Sequence, residues 1–367
     1  MSKILVVVAH PDDEVLWFFS TLLRNNCDVV CVTNGRDDQD RAHREPAFRK
    51  SMSILGVESY WNLNYPDGSA RLDVLQLASD LRRFSDRGYD LVFTHSPFGE
   101  TFEHSHHQDV CYAVHQTFEN VRSVAWNAYP EIVNVLTSSE YALKKYLLGT
   151  VYHNEYRNLK RTYPVLAVET FVEHSREAVD IFYWSIAVSG DNHERLAKYD
   201  DFWGFQSSVY ERERHKAILD FVAPTRPRAI LEYGSCEGVL TRNLALIAET
   251  HCVETAPTYV ARLAAQGFKV IQSPKSEDYD TAVVASFLGY LDSPRQFLSS
   301  LRSEYLVVQV SLGSELDNDM PSLLSHYQLS SQSVVRPRWE NLVWGGKSEN
   351  LPIFRVGAQV YLFRRAS

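Results

Sequence analysis

The sequence predicts an α/β protein made of two doubly wound, Rossmann-like domains, and three observations support this prediction. Its 367 residues exceed the usual length of a single domain. Short apolar runs alternate with longer, helix-compatible stretches, and this pattern occurs in two separate series. A polar segment broken by Gly190 separates the series. We therefore expect a domain boundary near residue 190, with domains at 1–190 and 191–367.

The first series starts with a short apolar strand and continues as a βαβ unit closed by Asn34-Gly35. A charged helix, the turn Tyr65-Pro-Asp-Gly68, another helix and another strand follow. Alternating strands and helices form a mostly parallel sheet, whose ligands collect beyond the carboxyl ends of the strands. The predicted elements are strands at 4–9, 28–33 and 91–94 and helices at 14–23, 38–55 and 72–87.

The second series repeats the alternation after the boundary. A helix and a proline-rich break precede an apolar strand that runs directly into Gly234-Ser-Cys-Glu-Gly238 and a further helix. This order predicts a second doubly wound sheet. Its predicted elements are helices at 211–222 and 239–248 and strands at 229–233, 251–254, 270–272, 281–285 and 305–310.

Composition excludes several classes of protein. The five cysteines are odd in number and contain no C-x-x-C pair, so neither a disulfide framework nor a cysteine zinc site is expected. No apolar run reaches the roughly 20 residues that span a bilayer, and the N-terminal run is too short for a signal peptide. The formal net charge of -9 offers little to a phosphate backbone. We expect a cytoplasmic protein without membrane or nucleic-acid partners.

The first strand ends in His10-Pro-Asp-Asp-Glu14, a group of residues suited to binding a metal. Pro11 fixes a turn there, so His10 and Asp13 can converge on one point. An imidazole and a carboxylate suit Zn²⁺, and a third ligand would leave the fourth position open to water. Residues 103–109, with three histidines, supply that candidate, and Asp12 is a candidate general base. Ordinary turn and helix-capping roles are the alternative.

Several motifs of this half resemble those of the PIG-L/LmbE family of zinc-dependent N-acetylglucosaminyl deacetylases, over residues 3 to about 175. They are Val8-Ala-His-Pro-Asp-Asp-Glu14, Val32-Thr-Asn-Gly35, Arg44-Glu45, Leu55-Gly-Val57, Tyr65-Pro-Asp-Gly68 and His104-x-x-His107. The resemblance implies a zinc or other divalent ion held by His10, Asp13 and His107. It further implies that Asp12 activates water, that His104 stabilises the oxyanion, and that Arg44 and Asp67 line the substrate pocket.

The chain departs from the family at one point of this motif. Where the family usually has His-Pro-Asp-His, this chain has His104-Ser-His-His107. His106 is therefore a second candidate ligand, although the spacing favours His107. The aspartate of the family's motif, which would orient a metal ligand without binding the metal itself, is also replaced. His95, at the end of the strand 91–94, is expected to support a ligand at most.

The second domain resembles class I S-adenosylmethionine-dependent methyltransferases over roughly 198–365. A strand runs into Gly234-x-x-x-Gly238, and an acidic residue, Glu254, stands twenty positions after the first glycine, where it can accept ribose hydroxyls. The segment Phe202–Arg212 is similar to the opening of nodulation-type N-methyltransferases, which act on the free amine of a deacetylated glucosamine. The resemblance implies cofactor contacts from Glu232, Gly234, Gly238 and Glu254, and acceptor contacts from Trp203 and Tyr210, for which the alternative is a place in the core.

This resemblance is looser than the first. The middle glycine of the loop is replaced by Cys236, no acidic residue follows the strand 270–272, and Gly289 stands where an acidic residue is common. Methyl transfer depends mainly on positioning and needs few diagnostic side chains. These departures therefore leave open whether the domain methylates or only binds a ligand.

The two chemistries predict a bifunctional enzyme with an amino-sugar substrate. The first domain would remove an N-acetyl group, and the second would N-methylate the exposed amine with S-adenosylmethionine. One alternative is a deacetylase whose second domain is non-catalytic or methylates oxygen or carbon. Another is a non-catalytic sugar-binding protein in which the histidines are structural. The sequence leaves open the acceptor's identity and whether the chain forms a homo-oligomer.

Overall fold

The computed structural model describes residues 2–100, 103–159, 164–188, 190 and 192–366. The chain divides into two units, Met1–Ser189 and Gly190–Ser367, and each is built around a seven-stranded sheet. Helices cover both faces of each sheet, so the predicted fold class of two doubly wound α/β domains is confirmed. In the part of the chain that is described, no helix is long and apolar enough to cross a membrane.

The first unit has the strand order β3-β2-β1-β4-β5-β7-β6. All its neighbouring strands are parallel except β7, which is antiparallel to both β5 and β6. Its strands are β1 Ile4–Val8, β2 Cys27–Thr33, β3 Tyr60–Tyr65, β4 Leu91–Thr94, β5 Val121–Val124, β6 Ile132–Val135 and β7 Val168–Glu173. Its helices are α1 Asp13–Trp17, α2 Phe19–Arg24, α3 Asp38–Leu55, α4 Val74–Ser85, α5 Ser105–Thr117, α6 Ser138–Tyr146, α7 His153–Leu159 and α8 Arg176–Phe182.

The second unit has the order β10-β9-β8-β11-β12-β16-β13. Here β16 is antiparallel to both β12 and β13, and β14 and β15 form a separate antiparallel pair. The strands are β8 Ala229–Tyr233, β9 Glu249–Val253, β10 Lys269–Val270, β11 Thr281–Ala285, β12 Tyr305–Ser311, β13 Tyr327–Val335, β14 Arg338–Trp344, β15 Lys347–Arg355 and β16 Ala358–Arg365. The helices are α9 His193–Leu196, α10 Val209–Val222, α11 Val239–Leu244, α12 Pro257–Ala265, α13 Pro294–Ser300 and α14 Glu315–Leu323.

The central strands form the cores because they are apolar along their whole length. Ile4, Val6 and Val8 of β1 pack on one face of the first sheet, whereas Leu5 and Val7 pack on the other. A strand that is buried on both faces has a continuous apolar sequence, as expected in the interior of a parallel sheet. The apolar run of β1 therefore marks an interior strand of the sheet, and its carboxyl end lies where ligands collect.

Among the differences from the sequence-based expectation, two concern elements beside the carboxyl ends of β1 and β2. The helix predicted at 14–23 is interrupted at Phe18, whose φ of -127° leaves the helical region, so it forms α1 and α2 instead. The strand β3 was not predicted, because its Tyr-Trp-Asn-Leu-Asn-Tyr sequence contains no continuous apolar run and is only partly buried at the edge of the sheet. Its end nevertheless places Asp67 beside the carboxyl end of β2.

A buried ion pair connects four elements of the first unit. The Lys144 ammonium on α6 donates to Glu169 Oε1 on β7 at 2.7 Å and to the Leu16 carbonyl of α1 at 2.8 Å. The other oxygen of Glu169 accepts the backbone N–H and the hydroxyl of Ser20. Because Lys144 and Glu169 are both buried, neither charge has water as a substitute partner.

We expect Lys144→Met to lower the free energy of unfolding by about 3–5 kcal/mol, since it leaves the Glu169 carboxylate buried without a cation. Lys145→Met, at the exposed neighbouring position, should change it by less than about 0.5 kcal/mol. Urea unfolding of the full chain measures both variants. Equal effects of the two substitutions would contradict this assignment.

Candidate active sites

Four neighbouring parallel strands bring polar side chains to one edge of the first sheet. β1 lies between β2 and β4, and His10 and His95 follow the ends of β1 and β4. The chain turns after His10, and its backbone N–H donates to Asp13 Oδ2 at 2.8 Å. This bond closes the turn and places the Asp13 carboxylate 3.2 Å from His10 Nδ1.

Three ligand atoms face one another at this edge. His10 Nδ1 lies 3.2 Å from Asp13 Oδ2 and 3.2 Å from His107 Nε2. His107 Nε2 lies 3.3 Å from Asp13 Oδ2. The three atoms form a nearly equilateral triangle, which we call the His10–Asp13–His107 triangle.

The proton positions make this triangle a site for a cation. His107 Nδ1 contacts the carboxylate of Glu100 and carries a ring N–H, so Nε2 is the nitrogen left to bind a cation. Burial opposes ionisation of Asp13, but protons on the His107, His95 and His10 rings hold its pKa well below the usual range, and a metal ion at the triangle would take the place of those protons. An ionised carboxylate and an imidazole lone pair at this separation favour a positive charge between them.

The dimensions of the triangle fit a tetrahedral zinc ion. Zinc-to-ligand distances of about 2.0–2.1 Å place tetrahedral ligand atoms about 3.3–3.4 Å apart, close to the observed separations. Two imidazoles and one carboxylate also form a donor set that Zn²⁺ accepts, with one position left for water. Besides the triangle, three overlapping groups of side chains in the described part of the chain are close enough to hold a metal. They are His10 with His104 and His107, His10 with Asp67 and His106, and Asp13 with His95 and His107.

His95 supports this arrangement without being free to bind a metal. Its Nε2 accepts the backbone N–H of Ala9 at 2.9 Å, so that lone pair is already used. Its ring stacks on the ring of His107 at a centroid separation of 3.9 Å. His95 therefore holds the His107 imidazole in place from behind.

Glu100 was not identified from the sequence. One carboxylate oxygen contacts His107, and the other accepts the Ser96 backbone N–H at 2.7 Å. The only sequence signal is its place between the strand end at Thr94 and the histidine-rich helix α5. This carboxylate performs the orienting role that the sequence suggested had been lost with the family's aspartate.

Asp12 lies at the mouth of the same site in a strained conformation. Its φ is 128°, in a region that favours glycine. Its backbone N–H donates to Glu14 Oε2, and Glu14 is in turn held by Ser51 and Tyr152. Burial and the neighbouring charge of Asp13 raise the pKa of Asp12 well above its usual value. A carboxylate with a raised pKa is suited to accept a proton.

His104 occupies the N-terminal cap position of α5. Its ring stacks on His107 with the centroids 4.4 Å apart. Burial, followed by the charges of His107 and His10, lowers the pKa of His104 to about 3. Its Nδ1 is buried without a hydrogen-bond partner within the described residues. A neutral imidazole here can offer an N–H to a ligand oxygen.

A cavity of about 280 Å³ opens in front of the triangle. Arg44 reaches it from α3 and pairs with Asp67 at 3.1 Å. Arg36, at the end of β2, and Glu155, on α7, also line it, and neither was singled out in the sequence. The lining residues are His10, Asp12, Asp13, Leu16, Arg36, Arg44, Asp67, His104, His107 and Glu155.

The second unit has its own cavity, of about 500 Å³, at the carboxyl ends of β8, β9 and β11. Of the residues predicted from the sequence, Glu232, Gly234, Glu254 and Trp203 line it. Tyr210 does not; its side chain packs against Val335 and Ala358 in the core. Gly238 does not line it either: a Cβ there would lie 2.9 Å from Leu263, so this glycine permits close helix packing.

Glu254 connects the two loops that border this cavity. Its Oε2 accepts the backbone N–H of Cys236 at 2.9 Å. Its Oε1 accepts the backbone N–H groups of Thr255 and Ala256. A carboxylate has about four lone-pair positions, so one remains for a ligand hydroxyl. Glu232 lies deeper and binds the Thr241 hydroxyl, and burial raises the pKa of Glu232 to about 7.

A buried charged cluster on the other side of this cavity was missed by the sequence analysis. Arg214 pairs with Glu211 at 2.6 Å and donates to Ser286 and Gln309. His215 lies beside it, and burial together with the Arg214 charge lowers the pKa of His215 to about 3. In the sequence these residues look like ordinary exposed helix charges. Only the fold shows that α10 turns this face toward the cavity.

Comparison with known proteins agrees with the geometry of the first site. Residues 5–118 match the family model described as PIG-L, GlcNAc-PI de-N-acetylase. This range contains the whole triangle together with Asp12 and His104, and it confirms the resemblance of this region to the PIG-L family. The chain is also 23% identical over 186 residues to the uncharacterized protein L374 of Acanthamoeba polyphaga mimivirus, covering 46% of this chain and 76% of that protein.

Two solved structures to which the chain is similar are enzymes. One is the N-methyltransferase NodS from Bradyrhizobium japonicum WM9, at 17% identity and a TM-score of 0.36, covering 48% of this chain and 97% of that one. The other is the N,N'-diacetylchitobiose deacetylase from Pyrococcus horikoshii, at 17% identity and a TM-score of 0.39, covering 50% and 85%.

The backbone at Cys236 generates a prediction. Its φ of 46° is left-handed, which costs a non-glycine residue about 1–2 kcal/mol, whereas glycine loses about 0.5–1 kcal/mol through unfolded-state entropy. We expect Cys236→Gly to be more stable than Cys236→Ala by about 0.5–1 kcal/mol in urea unfolding, since both lose the thiol and only alanine keeps the strain. An alanine variant at least as stable would disprove the strain.

Proposed function

We propose that the chain is a bifunctional enzyme acting on an amino sugar or an amino-sugar-containing metabolite. Its first unit hydrolyses the N-acetyl group, and its second unit N-methylates the exposed amine with S-adenosylmethionine. The observation that carries the first activity is the His10–Asp13–His107 triangle. Its dimensions and proton positions suit a divalent ion, and a carboxylate and an imidazole flank it.

The residues around the triangle supply the parts of an amide hydrolysis. His10, Asp13 and His107 would hold a divalent ion, which would supply Lewis acidity for the amide carbonyl and for the attacking water. Asp12 takes the proton from the attacking water, and its raised pKa lets it pass that proton to the leaving amine. His104 offers its N–H to the carbonyl oxygen, where negative charge develops. The match of residues 5–118 to the PIG-L family model supports this assignment.

The cavity in front of the triangle supports a sugar as the substrate. Arg44, Asp67, Arg36 and Glu155 line it, and each offers hydrogen-bond donors or acceptors to hydroxyl groups. Only Leu16 among its lining residues is aliphatic. A small, strongly hydroxylated molecule can satisfy these groups, whereas an apolar acyl substrate would leave them unpaired.

The second unit's cavity supports a nucleoside-bearing cofactor. It lies beyond the carboxyl ends of β8, β9 and β11, where ligands bind in doubly wound sheets. Gly234 allows the backbone to pass close to a ligand, and Glu254 retains a position for a ribose hydroxyl. The buried Glu211–Arg214 pair gives the remaining part of the cavity a polar wall, which suits a polar acceptor better than an apolar one.

Asp12→Asn tests the hydrolase. Asparagine keeps the shape but cannot accept the proton, so we expect acetate release from N-acetyl amino sugars to fall by about 10²–10⁴-fold, with metal content unchanged by elemental analysis. The control is Asp38→Asn, an exposed carboxylate of the same charge on α3, which should retain full activity. A metal-loaded Asp12→Asn variant as active as the unmodified protein would refute the proposed base.

Glu254→Gln tests cofactor binding in the second unit. Losing a charged hydrogen bond to ribose should weaken S-adenosylmethionine binding about tenfold or more in isothermal titration. The matched control is Glu249→Gln, at an exposed position at the start of β9, the strand that precedes Glu254. This variant should bind S-adenosylmethionine normally. Failure of the unmodified protein to bind S-adenosylmethionine would remove the methyltransferase activity from the proposal and leave the hydrolase.

Mass spectrometry of the products distinguishes N-methylation from its alternatives. Acetylated and deacetylated amino sugars, free and nucleotide-linked, would each be incubated with S-adenosylmethionine. The proposal requires methylation only where a free amine is present. Methylation of substrates whose amine stays acetylated would instead indicate an oxygen or carbon acceptor.

A further inference from the structure

The imidazole of His10 is contacted at both of its ring nitrogens. Nδ1 belongs to the His10–Asp13–His107 triangle. Nε2, on the far side of the ring, lies 3.2 Å from His106 Nδ1 and 3.4 Å from Asp67 Oδ1. The triangle accounts for the first set of contacts only, so the second set needs its own explanation.

The partner of His106 fixes where the protons lie. His106 Nε2 is 2.9 Å from the backbone carbonyl of Ala70, and a carbonyl oxygen only accepts hydrogen bonds. His106 Nε2 therefore carries the N–H, and the Nδ1 of a neutral His106 is a lone pair. Because that lone pair faces His10 Nε2, the proton of this contact belongs to His10.

We propose that His106 is a positioning residue that accepts the Nε2–H of His10 and so presents the Nδ1 lone pair of His10 to the triangle. This inference rests on the metal site of the proposed function. It assigns a role to the residue that stands where the resemblance leads one to expect an aspartate. An outer partner of this kind fixes the tautomer and the ring orientation of a metal-binding histidine.

The helix α5 makes the arrangement compact. His106 and His107 are consecutive in its first turn, and both are buried. His107 meets the Nδ1 side of the His10 ring and His106 meets the Nε2 side. One helical turn therefore provides one residue of the triangle, His107, and also fixes the orientation of another, His10.

The same distances raise the possibility of a second metal ion, which the charges disfavour. His10 Nε2, His106 Nδ1 and Asp67 Oδ1 lie within 3.2–3.7 Å of one another. However, the other oxygen of Asp67 is 3.1 Å from the Arg44 guanidinium. A second cation would compete with Arg44 and would remove the last ring proton of His10. A proton on His10 Nε2 satisfies the same atoms without that cost.

Zinc affinity, measured by competition with a chromogenic chelator, tests this role without depending on catalysis. Leucine at position 106 cannot accept a hydrogen bond, so His106→Leu should weaken Zn²⁺ binding about 10–100-fold. In His106→Asn the side-chain oxygen can take the place of Nδ1, so this variant should recover most of the affinity. His43→Leu removes an exposed histidine of the same unit and should leave the affinity unchanged.

The visible absorption of the Co²⁺-loaded protein provides a second readout. It reports on ligand geometry, so it should change in His106→Leu and return toward the original spectrum in His106→Asn. Urea unfolding of the metal-free variants separates a loss of affinity from a loss of folding.

Two results would overturn the inference. One is a folded His106→Leu protein with unaltered Zn²⁺ affinity and an unaltered Co²⁺ spectrum. The other is a stoichiometry of two metal ions in the unmodified protein that falls to one in His106→Leu, because His106 would then be a ligand itself. Failure of the proposed deacetylase activity would look different: the protein would bind zinc normally and release no acetate.

Discussion

One carboxylate oxygen, Oδ2 of Asp13, organises the first unit's site. It closes the turn after β1 by accepting the His10 backbone N–H, and it lies within 3.4 Å of ring nitrogens of His10, His107 and His95. Three histidines, which follow β1, follow β4 and lie in α5, therefore contact the same oxygen atom. Burial alone would discharge this carboxylate, but the surrounding histidines keep its pKa low. The site thus depends on a negative charge that its own neighbours maintain.

The outer partners give the site its precision. Glu100, the Ala70 carbonyl and the Ala9 N–H fix the proton positions of His107, His106 and His95 respectively. Two of these partners are backbone groups. Every residue type has them, so the sequence does not show which ones will contact a histidine. The second unit achieves its shape differently, through the backbone of the loop after β8 and the Glu254 carboxylate that ties it to β9. Counted within its own sheet, each unit has the same strand order. The first site is nevertheless formed by ring nitrogens and a carboxylate that face one another, whereas in the second a carboxylate holds the backbone of a glycine-containing loop.

The sequence predicted the features that depend on local pattern. The strands 91–94, 229–233 and 281–285 and the helix 38–55 were predicted with their observed bounds, because the strands are apolar runs and the helix is flanked by the capping residues Asp37 and Gly56. The residues after β1 and in α5 converge because parallel strand ends share one edge. Pairings between distant segments, such as Tyr152 with Glu14 or Arg214 with Gln309, left no local pattern. The edge strand β3 was missed for a different reason: it is only partly buried and has no continuous apolar run.

The backbone conformation of Asp12 has a consequence for how the sequence can vary. Its φ of 128° strains any residue that has a Cβ, by roughly 1–3 kcal/mol, and glycine would relieve that strain. Stability alone would therefore favour a residue without a side chain at position 12, whereas the proton transfer proposed above needs a carboxylate there. Stability and chemistry make opposite demands on this position, as at many sites where activity limits how stable a protein becomes. A carboxylate at this strained position is an observation separate from the resemblance, and it supports the role proposed for Asp12.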